Sequence, residues 1–339
     1  MLVFCHWDSM IMTQAPVVLI ITEEQDVHAD MVIPKLQARG VRPYRFHTAD
    51  MPLLANMALT FQDNQWTGYL DGVFGRLDVN AIHSAWYRRP GDPSLPPNTM
   101  TPEARTFSTA ETIAARRGLW RSINCFWVSE PGKITEASFK VEQLQSASKI
   151  GFRTPKTLIT NNPDELQRFY QECNGEVIYK TLWRPSVEYG HMASTILTTP
   201  VTTEHLKNIN NVRLSACLFQ EYVHKQIELR ICVIGQQVFA VEIHSQAVEA
   251  TKYDWRNYPF EDLPHMPHRL PTDVRDFCLR LVIDHYGLAF GAIDMIVTPS
   301  GEYVFLEINP NGQWAWLELV TDLPLTDAMA HLLATGKLI

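Results

Sequence analysis

Acidic and amide side chains interrupt two apolar segments near the end of the chain. Asp294 lies in one segment, and Glu307 and Asn309 follow in the next, with a Pro-Ser-Gly turn at 299–301 between them. This arrangement predicts a β-hairpin in which Glu307 and Asn309 share a face and Asp294 lies beside them. Their hard oxygen donors suit Mg²⁺ bound together with nucleotide phosphates. The other interpretation is a carboxylate pair that partners a basic residue elsewhere.

Basic side chains upstream could neutralise phosphates. Lys140 and Lys180 each lie beside uncharged segments, and Lys180 follows the strand-like residues 177–179. A rigid element would therefore position its ammonium group. Arg230 could bind a phosphate or a carboxylate through two N–H groups. Each of these residues alone is more often a solvated side chain, and their order along the chain carries the hypothesis.

The stretch from Gln220 to Val223 could hold a nucleoside. An edge strand here would offer backbone N–H and C=O groups to an adenine, and Glu228 could accept both ribose hydroxyls. The glycine-rich loops of dinucleotide-binding and P-loop proteins do not occur in the sequence, which excludes those two nucleotide-binding modes.

These side chains need a scaffold, and the chain is long enough for two to three domains. It has 339 residues, 46% hydrophobic and 19% charged, which is a globular composition. A strand at 17–22, a helix from Asp26 to Gly40 and a strand at 41–46 favour α/β architecture. A Ser-Glu-Pro-Gly break at 129–132 predicts a domain boundary. Further predicted strands are 82–87, 155–160, 177–182, 194–198, 217–223, 226–234, 237–246, 292–297 and 303–308, and further predicted helices are 103–121, 133–150, one from Asn162, 271–286, 314–320 and 325–334.

Composition also excludes several classes of protein. The net charge of −8 argues against nucleic acid as a partner. No apolar stretch approaches the ~20 residues of a membrane span. No Lys or Arg precedes Lys35, so the basic region that opens a signal peptide is not found. The first strand begins so early that Met10 or Met12 could be the true start. Six scattered cysteines without a C-x-x-C pair favour a reducing cytoplasm over a zinc site or disulfides.

The order of these residues resembles that of the ATP-grasp ligases, and more closely that of the graspetide (microviridin-type) synthetases, which mature ribosomal peptides. The strings that carry the finer resemblance are Trp86-Tyr87-Arg88-Arg89-Pro90, Lys140-Val141-Glu142-Gln143-Leu144 with Gly151-Phe152, Glu228-Leu229-Arg230 with Glu242-Ile243-His244-Ser245-Gln246 and Asp254-Trp255-Arg256, and Glu307-Ile308-Asn309-Pro310-Asn311-Gly312-Gln313-Trp314. The resemblance implies an α/β (α+β) ATP-grasp fold with an N-terminal pre-ATP-grasp domain at 1–130, a central subdomain at 131–225 and a C-terminal subdomain at 226–339.

The resemblance also implies a set of roles in binding ATP and two Mg²⁺ ions. Lys140 and Lys180 would bind phosphates, Gln220, Glu221 and Val223 the adenine, Glu228 the ribose, and Arg230 the transferred phosphoryl group; Asp294, Glu307 and Asn309 would bind the metal, with Asn309 also near the nucleotide, and Lys180 and Arg230 would be catalytic. The segment between Leu182 and Ser194 falls where ATP-grasp proteins place a flap, although it has only one glycine, Gly190.

The implied substrate is a ribosomal precursor peptide with a leader and an acidic core. Its Asp or Glu side chains would be phosphorylated and then joined to Ser or Thr hydroxyls or Lys amines. The leader would lie on the 228–243 hairpin and the 271–286 helix, whose apolar stripe is alternatively plain core packing. Candidate peptide contacts are Arg88, Arg89, His244, Trp255 and Arg256, of which the arginines could instead pair with acids and His244 could be structural.

Two other functions remain open at this point. One is an ATP-grasp amino-acid ligase that acts on a protein tail or a small carboxylate without a leader. The other is an inactive protein that binds ATP and peptide, against which the complete set of expected ligands speaks. A homodimer is expected from the resemblance alone.

Overall fold

The computed structural model describes residues 15–96, 99–183, 186–189 and 192–338, which fall into two compact units. Unit 1 runs to Phe126 and includes Leu333–Gly336, and unit 2 comprises Trp127–Leu332 and the chain from Lys337. The sequence placed a domain boundary between residues 130 and 131, a few positions after this division. Helices and sheets occur together, so the predicted mixed α/β class is confirmed.

Unit 1 is built on a parallel sheet in which β1 lies between β2 and β6. Every residue of β1 is buried, which explains why the strand is a continuous apolar run. Asp26 caps α1 through the backbone N–H of His28. The elements of this unit are β1 (Val17–Thr22), α1 (Val27–Ala38), β2 (Arg42–His47), β3 (Asn56–Gln62), β4 (Gln65–Gly72), β5 (Gly75–Asp78), β6 (Ile82–Tyr87) and α2 (Pro102–Ser122), and β7 (Phe126–Val128) leads into unit 2.

The antiparallel meander of β3, β4 and β5 is missing from the sequence prediction. Phe61 and Trp66, which face each other across β3 and β4, are both exposed. Strands that bury little of either face have no strong alternation of apolar and polar residues. This is why the pattern gave no signal here, whereas it located β1 and β6 correctly.

The first half of unit 2 contains a four-stranded antiparallel sheet with the order β12-β9-β13-β8. One face packs on α5, where Leu166 and Phe169 join Val177 and Phe219 in a common core. The elements are β8 (Thr157–Thr160), α5 (Pro163–Glu172), β9 (Val177–Lys180), the hairpin β10 (Ser186–Tyr189) and β11 (Met192–Thr195), β12 (Thr199–Pro200), α6 (Thr203–Lys207) and β13 (Cys217–Glu221). The predicted strand at 194–198 therefore lies earlier in the structure, as β11.

The second half contains a five-stranded antiparallel sheet with the order β16-β15-β14-β17-β18. Alternate residues of β14, such as Leu229 and Ile231, enter a core with Ile293 and Met295 of β17. The residues between them face the other side of the sheet. The elements are β14 (Ile227–Ile234), β15 (Gln237–Ile243), β16 (His265–Pro267), α7 (Thr272–Leu279), β17 (Phe290–Val297), β18 (Tyr303–Asn309), α8 (Ala315–Thr321) and α9 (Leu325–Thr335).

Two predicted helices of unit 2 differ from the structure. The helix expected at 133–150 is broken into α3 (Pro131–Glu136) and α4 (Lys140–Ile150). The helix at 271–286 is α7 followed by a π-helical turn, Arg280–His285. Its apolar stripe is core packing, because Val274, Cys278, Leu281 and Val282 are buried in the core under the five-stranded sheet. The stripe is therefore not a surface for the leader.

Across the part of the chain that the structure describes, no helix has the length and apolar character needed to cross a membrane. The described cysteines, Cys125, Cys173, Cys217, Cys232 and Cys278, are free thiols.

Candidate active site

A cleft of about 440 Å³ lies in unit 2, walled by residues of its two sheets. Most of the candidate residues line it. They are Lys140, Lys180, Gln220, Glu221, Val223, Glu228, Arg230, Trp255, Arg256, Asp294, Glu307 and Asn309. The candidates that do not line it are Arg88, Arg89 and His244.

Strand register brings the charged residues together. Arg230 of β14 lies opposite Asp294 of β17, which in turn lies opposite Glu307 of β18. The register of β17 and β18 shifts between Asp294 and Met295, so that Leu306 is an extra residue on β18. Such a bulge re-aims the side chains beside it. Without it, Leu306 rather than Glu307 would face Asp294.

The pair of Arg230 and Asp294 forms one side of this cluster. Arg230 Nη1 lies 2.8 Å from each carboxylate oxygen of Asp294, and Nη2 donates to the carbonyl of Gln313 at 3.1 Å. Arg230 Nε is buried and has no hydrogen-bond partner among the described residues. Burial raises the pKa of Asp294, and the charge of Arg230 only partly offsets that rise.

Lys140, Lys180 and Glu307 form the other side. Lys140 Nζ lies 2.8 Å from Glu307 Oε2 and donates to the carbonyl of Thr181 at 2.8 Å. Burial lowers the pKa of Lys180, and Glu307 opposes this shift. Burial acts to raise the pKa of Glu307, but the charges of Lys140 and Lys180 outweigh it and lower that pKa. The two lysines thus favour the ionised form of this carboxylate.

The donor set fits a hard divalent cation held together with phosphates. Asn309 Nδ2 donates to Asp294 Oδ2 at 3.0 Å and to Glu307 Oε1 at 3.4 Å, so the amide would have to turn to present its oxygen. The described residues contain no group of three or more His, Cys, Asp or Glu side chains arranged to hold a metal. A cation at Asp294, Glu307 and Asn309 would thus need further oxygen ligands, which phosphates supply.

The opposite end of the cleft has the features of a nucleoside site. Gln220 Nε2 donates to Thr157 Oγ1 at 3.0 Å, while its buried Oε1 has no partner in the described part of the chain. That oxygen could accept from an exocyclic amine such as that of adenine. Glu221 accepts from the backbone N–H of Lys156 at 2.9 Å.

Glu228, the expected ribose ligand, is held by a lysine that the sequence argument missed. Lys225 Nζ donates to Glu228 Oε1 at 2.8 Å and lies 3.4 Å from the carbonyl of Tyr253. In the sequence, only the spacing of three residues between Lys225 and Glu228 could have indicated this ion pair.

Trp255 and Arg256 line the wall where a second substrate could enter. Arg256 donates through Nε and Nη2 to both oxygens of Asp254, at 2.8 and 2.6 Å. Burial acts to raise the pKa of Asp254, but these hydrogen bonds and the charge of Arg256 lower it to about 2. The ring of Trp255 lies 5.0 Å from that of Trp316. The sequence argument missed Trp316, which lies on α8 where nothing in its spacing marks it.

The structure does not bring His244, Arg88 or Arg89 to the cleft. His244 Nε2 lies 3.0 Å from Glu242 Oε2, and this histidine is not among the residues that line the cleft. Arg88 is buried in unit 1 with His28 and Asp26. Arg89 pairs with Glu23 at 2.7 Å on the surface of that unit.

The expected flap coincides with the hairpin of β10 and β11. Trp183, just before it, is exposed and lines the cleft. Arg184, Pro185 and Gly190 lie outside the described residues, and only the backbone of the hairpin is described.

Comparison with known proteins gives one family model and a group of solved structures. The model described as the MvdD pre-ATP grasp domain matches residues 17–135. The macrocyclase MdnC of Microcystis aeruginosa MRC, solved with precursor peptide MdnA, is 31% identical over 95% of this chain and 100% of its own, with a TM-score of 0.84. A search of curated proteins finds no match.

Two further structures are similar over nearly the full length. A RiPP-associated ATP-grasp ligase of Chryseobacterium gregarium, solved with ADP and a leader and core peptide, is 31% identical over 95% of this chain and 97% of its own, with a TM-score of 0.88. The macrocyclase MdnB of M. aeruginosa MRC is 30% identical over 94% of this chain and 99% of its own, with a TM-score of 0.78.

Proposed function

This chain belongs to the RiPP-associated ATP-grasp macrocyclases and ligases, which form ADP, and we propose that it closes rings in a ribosomal precursor peptide. The observation that carries the proposal is the cleft in which Lys140, Lys180 and Arg230 meet Asp294 and Glu307 on adjacent strands. Relatives of about 31% identity, solved with a precursor peptide or with ADP and peptide, support it.

The reaction has two steps. An Asp or Glu side-chain carboxylate of the peptide attacks the γ-phosphorus of ATP. The bond between the γ-phosphorus and the oxygen that bridges it to the β-phosphate breaks. ADP departs, and the peptide carboxylate has become an acyl phosphate. A Ser or Thr hydroxyl or a Lys amine then attacks the carbonyl carbon. It loses its proton, phosphate departs, and an ω-ester or ω-amide remains. Because water competes with the second nucleophile, the cleft has to exclude it.

The cationic cluster provides charge neutralisation. Lys140 and Lys180 bind the phosphates, and Arg230, with Nε still available, binds the transferred phosphoryl group or the acyl phosphate. Phosphoryl transfer depends mainly on position and on such neutralisation. Asp294, Glu307 and Asn309 would hold Mg²⁺, with two ions expected, and the metal would supply positive charge beside the phosphates.

The remaining residues of the cleft bind the nucleoside and the peptide. Gln220, Glu221 and the backbone of Val223 contact adenine, and Glu228 holds the ribose. Trp255 and Arg256 contact the acidic core. The leader binds the hairpin of β14 and β15 outside the cleft. The apolar stripe of α7 takes no part in this contact, because it is buried in the core. The resemblance further suggests a microviridin-type product, a homodimer and a cytoplasmic location.

The test is intact mass of the precursor peptide encoded beside this gene after incubation with the protein, ATP and Mg²⁺. Loss of one water per new bond, dependent on ATP and on the leader, is the expected result. Cleavage of the new bonds by mild base would identify esters and resistance would identify amides. ADP release only with free amino acids or small carboxylates would instead support the amino-acid ligase, and binding without turnover would support the inactive protein.

A further inference from the structure

A buried glutamine on α4 contacts the strand that carries the expected metal ligands. Gln143 is 2% exposed. Its Oε1 accepts from the backbone N–H of Ile308 at 3.1 Å, and its Nε2 donates to the carbonyl of the same residue at 2.9 Å. A side-chain amide that binds both backbone groups of one residue fixes its position as a neighbouring strand would. Ile308 lies between Glu307 and Asn309.

The place of β18 in the sheet makes this contact necessary. β18 is the last strand of its sheet, and the outer backbone groups of Ile308 meet Gln143 of α4 rather than another strand. The backbone groups of Ile308 that bind Gln143 are buried, and without that partner they would lose hydrogen bonds in an environment with little water. The side chain of Ile308 is anchored in the core. The segment is therefore held from the core and from α4.

The same amide also binds the short segment between α3 and α4, residues 137–139. Gln143 Nε2 donates to the carbonyl of Ala137 at 2.6 Å, within this segment. The segment makes Lys140 the first residue of α4, where the helix dipole disfavours a positive charge. Glu307 compensates that charge at 2.8 Å. One glutamine thus links the start of α4, and with it Lys140, to the strand of Glu307.

We propose that Gln143 is a positioning residue that holds Glu307 and Asn309 in the register required to bind Mg²⁺ together with the nucleotide. The inference rests on the proposed function, since it concerns the same cleft. Partners that orient metal ligands typically contribute about 10- to 100-fold to metal affinity or activity. Because both ligating side chains flank Ile308, a shift of this one residue displaces both.

The test is nucleotide binding by Gln143→Met, which preserves length and removes the three hydrogen bonds. ADP affinity is measured by calorimetry with and without Mg²⁺. We expect the gain in affinity that Mg²⁺ gives to fall by about tenfold, and affinity in the absence of Mg²⁺ to change by a smaller factor. Hydrogen exchange of the peptide covering 303–309 should accelerate. Gln145→Met is the matched control, since Gln145 is exposed on the same helix, and it should change neither measurement.

Faster exchange with an unchanged Mg²⁺ effect would overturn the proposal, because Gln143 would then only complete the sheet edge. No change in either measurement would also overturn it. If Gln143→Met does not fold, Gln143→Glu keeps the acceptor for Ile308 N–H and lacks the donor, and the same loss is expected. Wild-type protein that binds Mg²⁺ and ADP together but leaves the peptide unchanged would refute the proposed function and leave this inference standing.

Discussion

Each unit of the molecule contains an arginine–aspartate pair, fully buried in unit 1 and partly exposed in unit 2. In unit 1, Arg88 Nε lies 3.7 Å from Asp26 Oδ2, and the side chains are 2% and 1% exposed. In unit 2, Arg230 lies 2.8 Å from Asp294, and the side chains are 10% and 23% exposed at the wall of the cleft. The same two residue types therefore occur in a closed setting and in an open one.

The partners of each pair explain its role. Asp26 accepts from Thr22 Oγ1 at 2.6 Å and from His28 N–H at 3.1 Å. Although burial acts to raise the pKa of Asp26, these hydrogen bonds and Arg88 lower it. Asp294 has its pKa raised by burial. A pair enclosed within a unit can only stabilise the fold, whereas a pair at the wall of a cleft can also meet a ligand.

The largest effect is expected from Glu307→Ala, in the charged cluster at the wall of the cleft. Removal of this carboxylate eliminates a proposed metal ligand and the partner of Lys140, so ADP formation should fall by about 1000-fold or more. The midpoint of thermal unfolding should change little, because the side chain borders the cleft. ADP formation is measured by a coupled assay, and wild-type turnover would refute the metal assignment.

Arg230→Lys tests the open pair while keeping its charge. A lysine cannot form the forked contacts to Asp294 and Gln313. We expect kcat to fall by about 100-fold with thermal stability near that of the wild type. A loss of stability without a loss of kcat would mean that this pair is as structural as that of unit 1.

Arg88→Lys makes the matched change in the closed pair. The shorter reach of lysine cannot serve both His28 and Asp26, so buried polar groups lose partners. The free energy of unfolding should decrease by about 2 kcal/mol in urea denaturation. Turnover per folded molecule should be unchanged. If the variant instead had wild-type stability and a raised KM for the peptide, Arg88 would be a substrate contact.

Asp26→Asn should change how the free energy of unfolding depends on pH. A carboxylate whose pKa is lower in the folded state stabilises the protein above its unfolded pKa of about 4. This contribution is lost as the pH falls from there toward the folded pKa. The wild type should therefore be more stable than Asp26→Asn at pH 7, and the gap should narrow below about pH 4. Urea denaturation across this range measures the gap, and a constant gap would contradict the prediction.

The smallest effect is expected from Arg89→Ala. Arg89 and Glu23 form an exposed pair, and such pairs contribute about 0–1 kcal/mol to stability. Neither stability nor the KM for peptide should change measurably. A several-fold rise in that KM, measured with the precursor peptide, would make Arg89 a peptide contact after all.

Most of the cleft could be predicted because its residues follow regular periods. Glu307 and Asn309 share a face by the two-residue period of a strand, and the short turn brings Asp294 to them. The bulge at Leu306 was not predictable, since an extra residue in a strand leaves no mark on a pattern of apolar residues. The break between α3 and α4 was missed because both pieces remain helical in pattern.

The residues that were missed or misassigned depend on contacts distant in sequence. Gln143 and Ile308 are far apart along the chain, and no local pattern relates them. Arg88 was named as a candidate contact for an acidic peptide, with an acid of the chain as the alternative partner, and its burial beside Asp26 follows from tertiary packing. Residue type and order predicted most of the groups that line the cleft, and packing decided which of the remaining candidates are accessible.

The two margins of the five-stranded sheet limit how an extended peptide can attach to it. At one margin, Gln143 occupies the outer backbone groups of Ile308, and the carbonyl of Arg153 accepts from Phe305 N–H at 2.8 Å. At the other, β16 is only three residues long. Long exposed margins recruit foreign strands and promote aggregation. This sheet therefore offers little free edge to which an extended peptide could add as a further strand.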